Sequence, residues 1–451
     1  MKKSSISTLQ TAIVLFIVVL LSTSASSISF SQQKDTLTSV FDTQILSGTS
    51  SQKIIDILSM INETLIQEYL QTIVGFGPRM SGSYGCEKAA QYIHIQFTDM
   101  QLIARYQNWT MWGSRYYHYF YQSQNIEGTL VGTNAMDNSA IIFNAHYDSV
   151  VNGPGANDDG SGTVAVLAAA YALSHFDFNR TVKFVTFSGE EIGLAGSRTY
   201  TKEAYEKNQS ILVEINADMI GHDEGSRKMT VTATEDVGWV ADIFQSINNN
   251  YSIGLTVNRG TINRVRHGLG GSDFSAFLTY GWESICCWEG DHDQNFHSAQ
   301  DNLSNVNLSY LVKTTRIIAA TLAYLADLPV TPPQVRITSP RVGFLYNAGM
   351  RKRAIDELKT TVIDDIWIWA EVNYATMPIE RAEFYYDGKL VFTDTEAPYK
   401  WQFNKFSLGK HQIIVLVYDQ LGKNSSDWRE IRFINILKGS NNPMMYVPDY
   451  R

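Results

Sequence analysis

The sequence predicts two folded units in one chain: an α/β domain on a mixed, mainly parallel central sheet with helices on both faces, then an all-β sandwich. Three observations predict this. At 451 residues the chain exceeds one average domain. From about Ser51 to Asp327, runs of strand and helix character alternate, as in a sheet covered on its faces. Beyond Pro329, Pro332 and Pro333 the helical pattern stops and short β-like runs take over.

At the start of the chain, Lys2 and Lys3 precede an apolar run over 12–21 and then small residues, which reads as a secretory leader over 1–26, processed near Ala25. That run is shorter than the ~20 residues a spanning helix needs. The expected location is therefore secreted or extracellular, cell surface included, with no stable membrane span after leader removal. Residues 27–50, rich in Ser, Thr and Gln, read as a flexible lead-in.

The α/β domain is expected over 51–328. Within it 140–149 (AIIFNAHYDS) reads as a strand, 163–176 as a helix, 181–187 (TVKFVTF) and 211–221 as strands, and 308–327 as a long closing helix. After a proline linker at 329–333, the runs IWIWAEV, AEFYYDG, KLVFTDT, HQIIVLVYD and REIRFINI carry β patterning over 334–437, with a hairpin turn at Asp387-Gly388. Short strands separated by turns over about a hundred residues point to an immunoglobulin-like sandwich, followed by a tail at 438–451. No catalytic residue types cluster there, and its partner is not legible.

The formal charge of −9, without any Lys/Arg run, excludes nucleic acid or an anionic membrane as the main partner. Eight Asn-x-Ser/Thr sites are compatible with export. Cys86, Cys286 and Cys287 are too few for a disulfide framework and read as buried thiols, a bridge from Cys86 to one of the pair being the alternative.

Five segments place metal-ligand residue types at or just beyond strand ends: AHYDS (His146, Asp148), GANDDGSG (Asp158, Asp159), SGEEIGLAGS (Glu190, Glu191), NADMIG (Asp218) and FHSAQD (His297, Asp301). The crevice beyond the carboxyl ends of strands is where open α/β sheets bind ligands. A lone aspartate there is an ordinary turn or cap residue; five such placements together point to a metal site. Imidazole mixed with carboxylate and no thiolate suits Zn²⁺, with Mn²⁺ or Co²⁺ as substitutes. Two histidines and several carboxylates suffice for two ions sharing a bridging carboxylate. The adjacent Glu190 and Glu191 repel each other, and cations beside them would offset that repulsion.

The series HYDS, GANDDGSG, EEIGLAGS, NADMIG, GGSDF and FHSAQD resembles the secreted di-zinc aminopeptidases of metallopeptidase family twenty-eight over about 51–328. The resemblance implies a zinc exopeptidase fold and two Zn²⁺ per chain. It implies Asp158 as bridging ligand, His146 and Asp218 on one ion, and Glu191 and His297 on the other. Glu190 then matches the general base, Asp148 the carboxylate that orients His146, and Asp159 the residue after the bridge, where the family carries a cis peptide. It also implies peptide substrates with a free amino terminus and an apolar first residue. Trp288 is the candidate for lining the first side-chain pocket and Glu289 for holding the amine, beside the plainer readings of a packed tryptophan and a solvated glutamate.

This chain departs from some relatives at Gly271, where they carry Arg, and at Phe296, where they carry Tyr. A dipeptidase or carboxypeptidase using the same site is one alternative function, and a binding protein on this scaffold is another.

Overall fold

The computed structural model describes residues 49–112, 120–135, 137–234, 237–262, 271–329, 331–355 and 359–435. The expected leader over 1–26, all but the last two residues of the lead-in, and the tail at 438–451 lie outside the described residues. Helix α1 (Thr49–Met60) starts two residues inside the expected lead-in. It is followed by α2 (Glu63–Gly75), capped by the Asn62 side chain, and α3 (Tyr84–Asp99), capped by Ser83. None of the described helices is long and apolar enough to cross a membrane.

The sheet of the α/β domain contains β1 (Ile103–Trp112), β2 (Phe120–Leu130), β3 (Ala140–His146), β4 (Thr181–Phe187), β5 (Ile211–Ala217), β6 (Lys228–Thr234), β7 (Thr256–Ile262) and β8 (Ser284–Glu289), in the order β1-β2-β4-β3-β5-β8-β6-β7. Pairs β4–β3, β3–β5, β5–β8 and β6–β7 are parallel, whereas β1–β2, β2–β4 and β8–β6 are antiparallel. The sheet is thus mixed with a parallel centre, as the alternation of elements predicts. Strands β3 and β5 are buried along their whole length, which explains why they read as near-continuous apolar runs.

Helix α4 (Gly160–Leu173) is apolar on all sides and packs on β3 among α1, α2 and the closing helix α8 (Leu308–Asp327). It begins three residues earlier than its apolar run because Asp159 caps it, accepting a hydrogen bond from the Gly162 N–H at 2.8 Å. A second apolar cluster joins Ile142, Val185, Phe187 and Ile211 of the sheet to Tyr200 of α5 (Ala195–Glu206) and Phe277 of α7 (Phe274–Thr279). Side chains alternate across a strand, so α5 and α7 cover the face that α4 does not. Helix α6 (Gly238–Asn250) packs beside β6 and β7.

The second unit is all-β among the described residues. Its strands are β9 (Gln334–Ser339), β10 (Phe344–Asn347), β11 (Met350–Ala354), β12 (Thr360–Ile363), β13 (Ile366–Tyr374), β14 (Ile379–Tyr386), β15 (Lys389–Asp394), β16 (Tyr399–Phe403), β17 (Ser407–Asp419) and β18 (Asn424–Asn435). A sheet of order β11-β10-β12-β18-β17-β14-β15 faces one of order β16-β13-β9. Alternate residues fill the space between them: Ile366, Ile368 and Ala370 from β13, Ile413, Val415 and Val417 from β17, Ile431 and Phe433 from β18. Asp387 and Gly388, at φ 48° and 74°, make the tight turn between β14 and β15.

Candidate metal centre

Strand β3 is parallel to both β4 and β5, so their carboxyl ends open on one edge of the sheet. His146 is the last residue of β3, Glu190 and Glu191 lie in the turn after β4, and Asp218 directly follows β5. Asp158 comes from the loop before α4 and His297 from the loop after β8. His297 (φ 59°) and Met219 (φ 54°), next to Asp218, both sit in the left-handed region, uncommon for residues with a side chain.

Two trios of ligand atoms result, His146, Asp158 and Asp218 in one and Asp158, Glu191 and His297 in the other, each within 4.8 Å. Asp158 belongs to both. Its Oδ1 lies 3.3 Å from His146 Nε2 and its Oδ2 3.1 Å from His297 Nε2. His146 Nε2 is also 3.7 Å from Asp218 Oδ1, and His297 Nε2 is 3.1 Å from Glu191 Oε2.

Carboxylates outnumber imidazoles in this cluster, where Asp158, Asp218, Glu190 and Glu191 surround His146 and His297. Burial would raise the Asp158 carboxyl, yet hydrogen bonds from His146 and His297 hold it well below the carboxylate range. Burial pushes Glu191 up to about 7, with Asp158 adding to the rise. Burial likewise pushes Glu190 up to about 9; His146 opposes this, and the carboxylates of Asp218, Asp273 and Asp148 reinforce it. The Asp158 contact raises His297. In addition, Glu191 Oε1 is buried without any hydrogen-bond partner. An orphaned carboxylate oxygen in a net acidic, imidazole-bearing pocket fits a divalent metal.

Neighbouring groups hold the candidate ligands in place. His146 Nδ1 lies 3.2 Å from the Asp148 backbone oxygen and 3.6 Å from Asp148 Oδ1, while Asp148 accepts from Ser81 Oγ (3.1 Å) and from the Glu190 N–H (3.3 Å). One carboxylate therefore ties the β3 histidine to the β4 turn. Asp159 joins three elements: it accepts from the His146 N–H (3.2 Å), the Met219 N–H (3.2 Å) and the Gly162 N–H (2.8 Å). The Asp158–Asp159 peptide bond is cis.

Asp301 carries a ligand-type side chain but faces backbone: its oxygens accept from the N–H groups of Asn157 (2.7 Å) and Asp158 (2.9 Å). Glu289 accepts from both sides as well, from Asn157 Nδ2 at 3.0 and 3.1 Å and from the His222 N–H at 2.8 Å. Burial pushes its carboxyl up to about 9. Trp288 is half-buried and meets Phe274 edge-on at 6.2 Å, packed against Ile262, Leu278 and Cys286.

Arg79 was invisible as a site residue in the sequence. It is fully buried and donates to the backbone oxygens of Tyr147 (2.7 Å), Pro154 (2.5 Å) and Gly155 (2.8 Å), fastening the loop between His146 and Asp158. Its partners are about seventy positions away along the chain, beyond any local motif. Gly271 has φ +132°, a conformation that disfavours a side chain such as Arg at this position. Phe296 is exposed, with its ring 4.7 Å from that of His297. All three cysteines are buried and free.

Residues 125–322 match peptidase family M28, and residues 333–415 match a bacterial Ig domain. Among curated relatives, a probable leucine aminopeptidase 2 of Trichophyton verrucosum is 27% identical over 235 residues, 46% of this chain and 45% of that one. Aminopeptidase Y of Saccharomyces cerevisiae is 29% identical over 228 residues, 46% of this chain and 40% of that one. The chain thus spans about half the length of the curated relatives it matches. Among solved structures, an aminopeptidase from Aneurinibacillus sp. strain AM-1 superposes with a TM-score of 0.52 at 16% identity, covering 61% of this chain and 96% of that one. At that identity the likeness speaks for the fold.

Proposed function

We propose that the peptidase family M28 domain carried by this chain is a zinc-dependent aminopeptidase that removes apolar residues from the free amino terminus of peptides. The observation that carries the reading is the pair of ligand trios joined through the two oxygens of Asp158. His146 and Asp218 would hold one Zn²⁺, Glu191 and His297 the other, with Asp158 between them. When bound, the two ions supply Lewis acidity, which acidifies water and polarises the scissile carbonyl.

The chain's own residues do the rest. Asp148 and its backbone oxygen face His146 Nδ1, which fixes the tautomer that presents the Nε2 lone pair to the site. Glu190 belongs to neither trio, so its carboxylate is free to take a proton from water and deliver it to the leaving amine. Buried among carboxylates its pKa is too high for a base at neutral pH; positive charge in the site draws it down toward the range where it can both accept and donate.

The relatives that match this domain are named aminopeptidases, which favours the aminopeptidase over the carboxypeptidase reading. Glu289 has both oxygens engaged beneath the bridge, so we assign it to bracing Asn157 rather than to the amine. Trp288 remains the candidate wall for the first side chain. We retain secretion as part of the proposal, on the leader pattern of residues 1–26.

Mass spectrometry of a leucine-rich decapeptide incubated with the zinc-loaded protein tests the reading. One-residue losses from the amino end are expected; release of dipeptides, or losses from the carboxyl end, would replace it with an alternative exopeptidase.

A further inference from the structure

The sandwich presents a contact surface, and the α/β domain of the same chain occupies it. Arg336 of β9 lies 4.1 Å from the ring centre of Tyr205 in α5, and Arg341 and Arg429 approach the same ring at 5.2 and 5.9 Å. Arg429 is buried and pairs with the buried Asp427 at 2.7 Å, which also accepts from the Ile337 N–H at 2.6 Å. Across from this pair stands Gly281, where a Cβ would lie 1.6 Å from Asp427 Oδ1. Ser210 donates to Gln334 Oε1 at 2.6 Å, linking the two units just before β5.

The contact continues into the core. Val342 of the sandwich belongs to the apolar cluster of Tyr205, Trp282, Phe277 and Phe187. Ring centres step inward from Tyr205 to Trp282 (6.5 Å), to Phe277 (6.1 Å) and to Phe187 (6.3 Å), the last residue of β4 and three before Glu190. The helices that receive the sandwich also bound the site: α5 leaves the Glu190–Glu191 turn, and α7 follows Asp273.

We propose that the partner of the sandwich is this face of the α/β domain, and that the sandwich braces the Glu190–Glu191 turn by folding with that domain as one cooperative unit. A docked face so closely packed, with Arg336, Arg341 and Arg429 against the Tyr205 ring and Val342 inside the apolar cluster, couples the unfolding of the two units. The consequence for the metal centre rests on the function proposed above; the cooperative folding does not. Metal bound at the carboxyl edge then stabilises the sandwich through the shared transition.

Calorimetry of the full chain should give one transition with equal calorimetric and van't Hoff enthalpies. Hydrogen exchange in β17 and β18 should slow about 100-fold for each ion bound when zinc is raised to 100 times the dissociation constant of its site, matching α5. Gly281→Ala should split the transition in two and abolish the zinc response of β17 and β18 while α5 keeps it. Should that variant fail to fold, Val342→Asp buries an unpaired carboxylate in the same contact and carries the same test with no backbone strain. Two transitions in the unaltered chain, or sandwich amides indifferent to bound zinc, would overturn the proposal. Absence of zinc binding would instead defeat the functional reading, leaving the single transition and its splitting as the test of the brace.

Discussion

Asp301 separates ligand from brace. It is buried, and its two oxygens hold the N–H groups of Asn157 and Asp158 at 2.7 and 2.9 Å. Asp301→Ala strands both donors, one of them the N–H of Asp158 itself. At about 1–3 kcal/mol for each buried unpaired group, folding stability should fall by about 2–6 kcal/mol. Zinc affinity should drop about 10- to 100-fold, as when a group orienting a ligand is removed, while two ions still bind at saturation. Competition with a fluorescent chelator gives affinity and stoichiometry together, and urea denaturation gives the stability. Loss of one ion at saturating zinc would make Asp301 a ligand and refute this reasoning; unchanged affinity and stability would refute the brace.

Glu190→Gln should retain both ions and lower turnover by about 10²- to 10⁴-fold, the usual contribution of a positioned base; metal analysis beside steady-state kinetics checks it, and full activity would remove Glu190 from the chemistry. Glu214, buried within β5, is pushed up to about 8 by burial. Its raised pKa means that the folded chain keeps a proton the unfolded chain releases above about pH 4.5, so this group's contribution to stability declines as pH rises from there to about 8. Glu214→Gln should flatten that part of the urea-midpoint profile; an unchanged slope would show that the group ionises in the folded state. Chelation should lower the melting temperature, since about 4 kcal/mol of linked stabilisation disappears for an ion previously present at 1,000 times its dissociation constant. An unshifted melting curve after verified metal removal would contradict this.

His146, Glu190, Glu191 and Asp218 are legible as candidate positions because they fall at or just after the end of an apolar strand run, and the sheet then brings those ends to one edge, whereas Asp158 and His297 stand in loops. The fold class follows from the same alternation. What the sequence hides is long-range. Arg79 reaches carbonyls across the domain, and Asp159 joins the ends of β3 and β5 to α4, contacts with no periodic signature. Asp301 shows the limit of residue type: a carboxylate that receives backbone N–H groups and one that binds a metal look alike in sequence. Strands such as β17 and β18 extend beyond their apolar runs because ladder pairing, from Ser407 opposite Asn435 to Tyr418 opposite Asn424, holds polar residues in register. The β1–β2 pair escapes sequence reading because its partly exposed strands mix polar and aromatic residues without strict alternation.

Asp158 is proposed to stand between two ions. Crystals grown with zinc and measured at the zinc absorption edge should show two anomalous peaks about 3.5–4 Å apart, one beside His146 and Asp218 and one beside Glu191 and His297, with Asp158 reaching both. A single peak, or two peaks that Asp158 does not join, would contradict it.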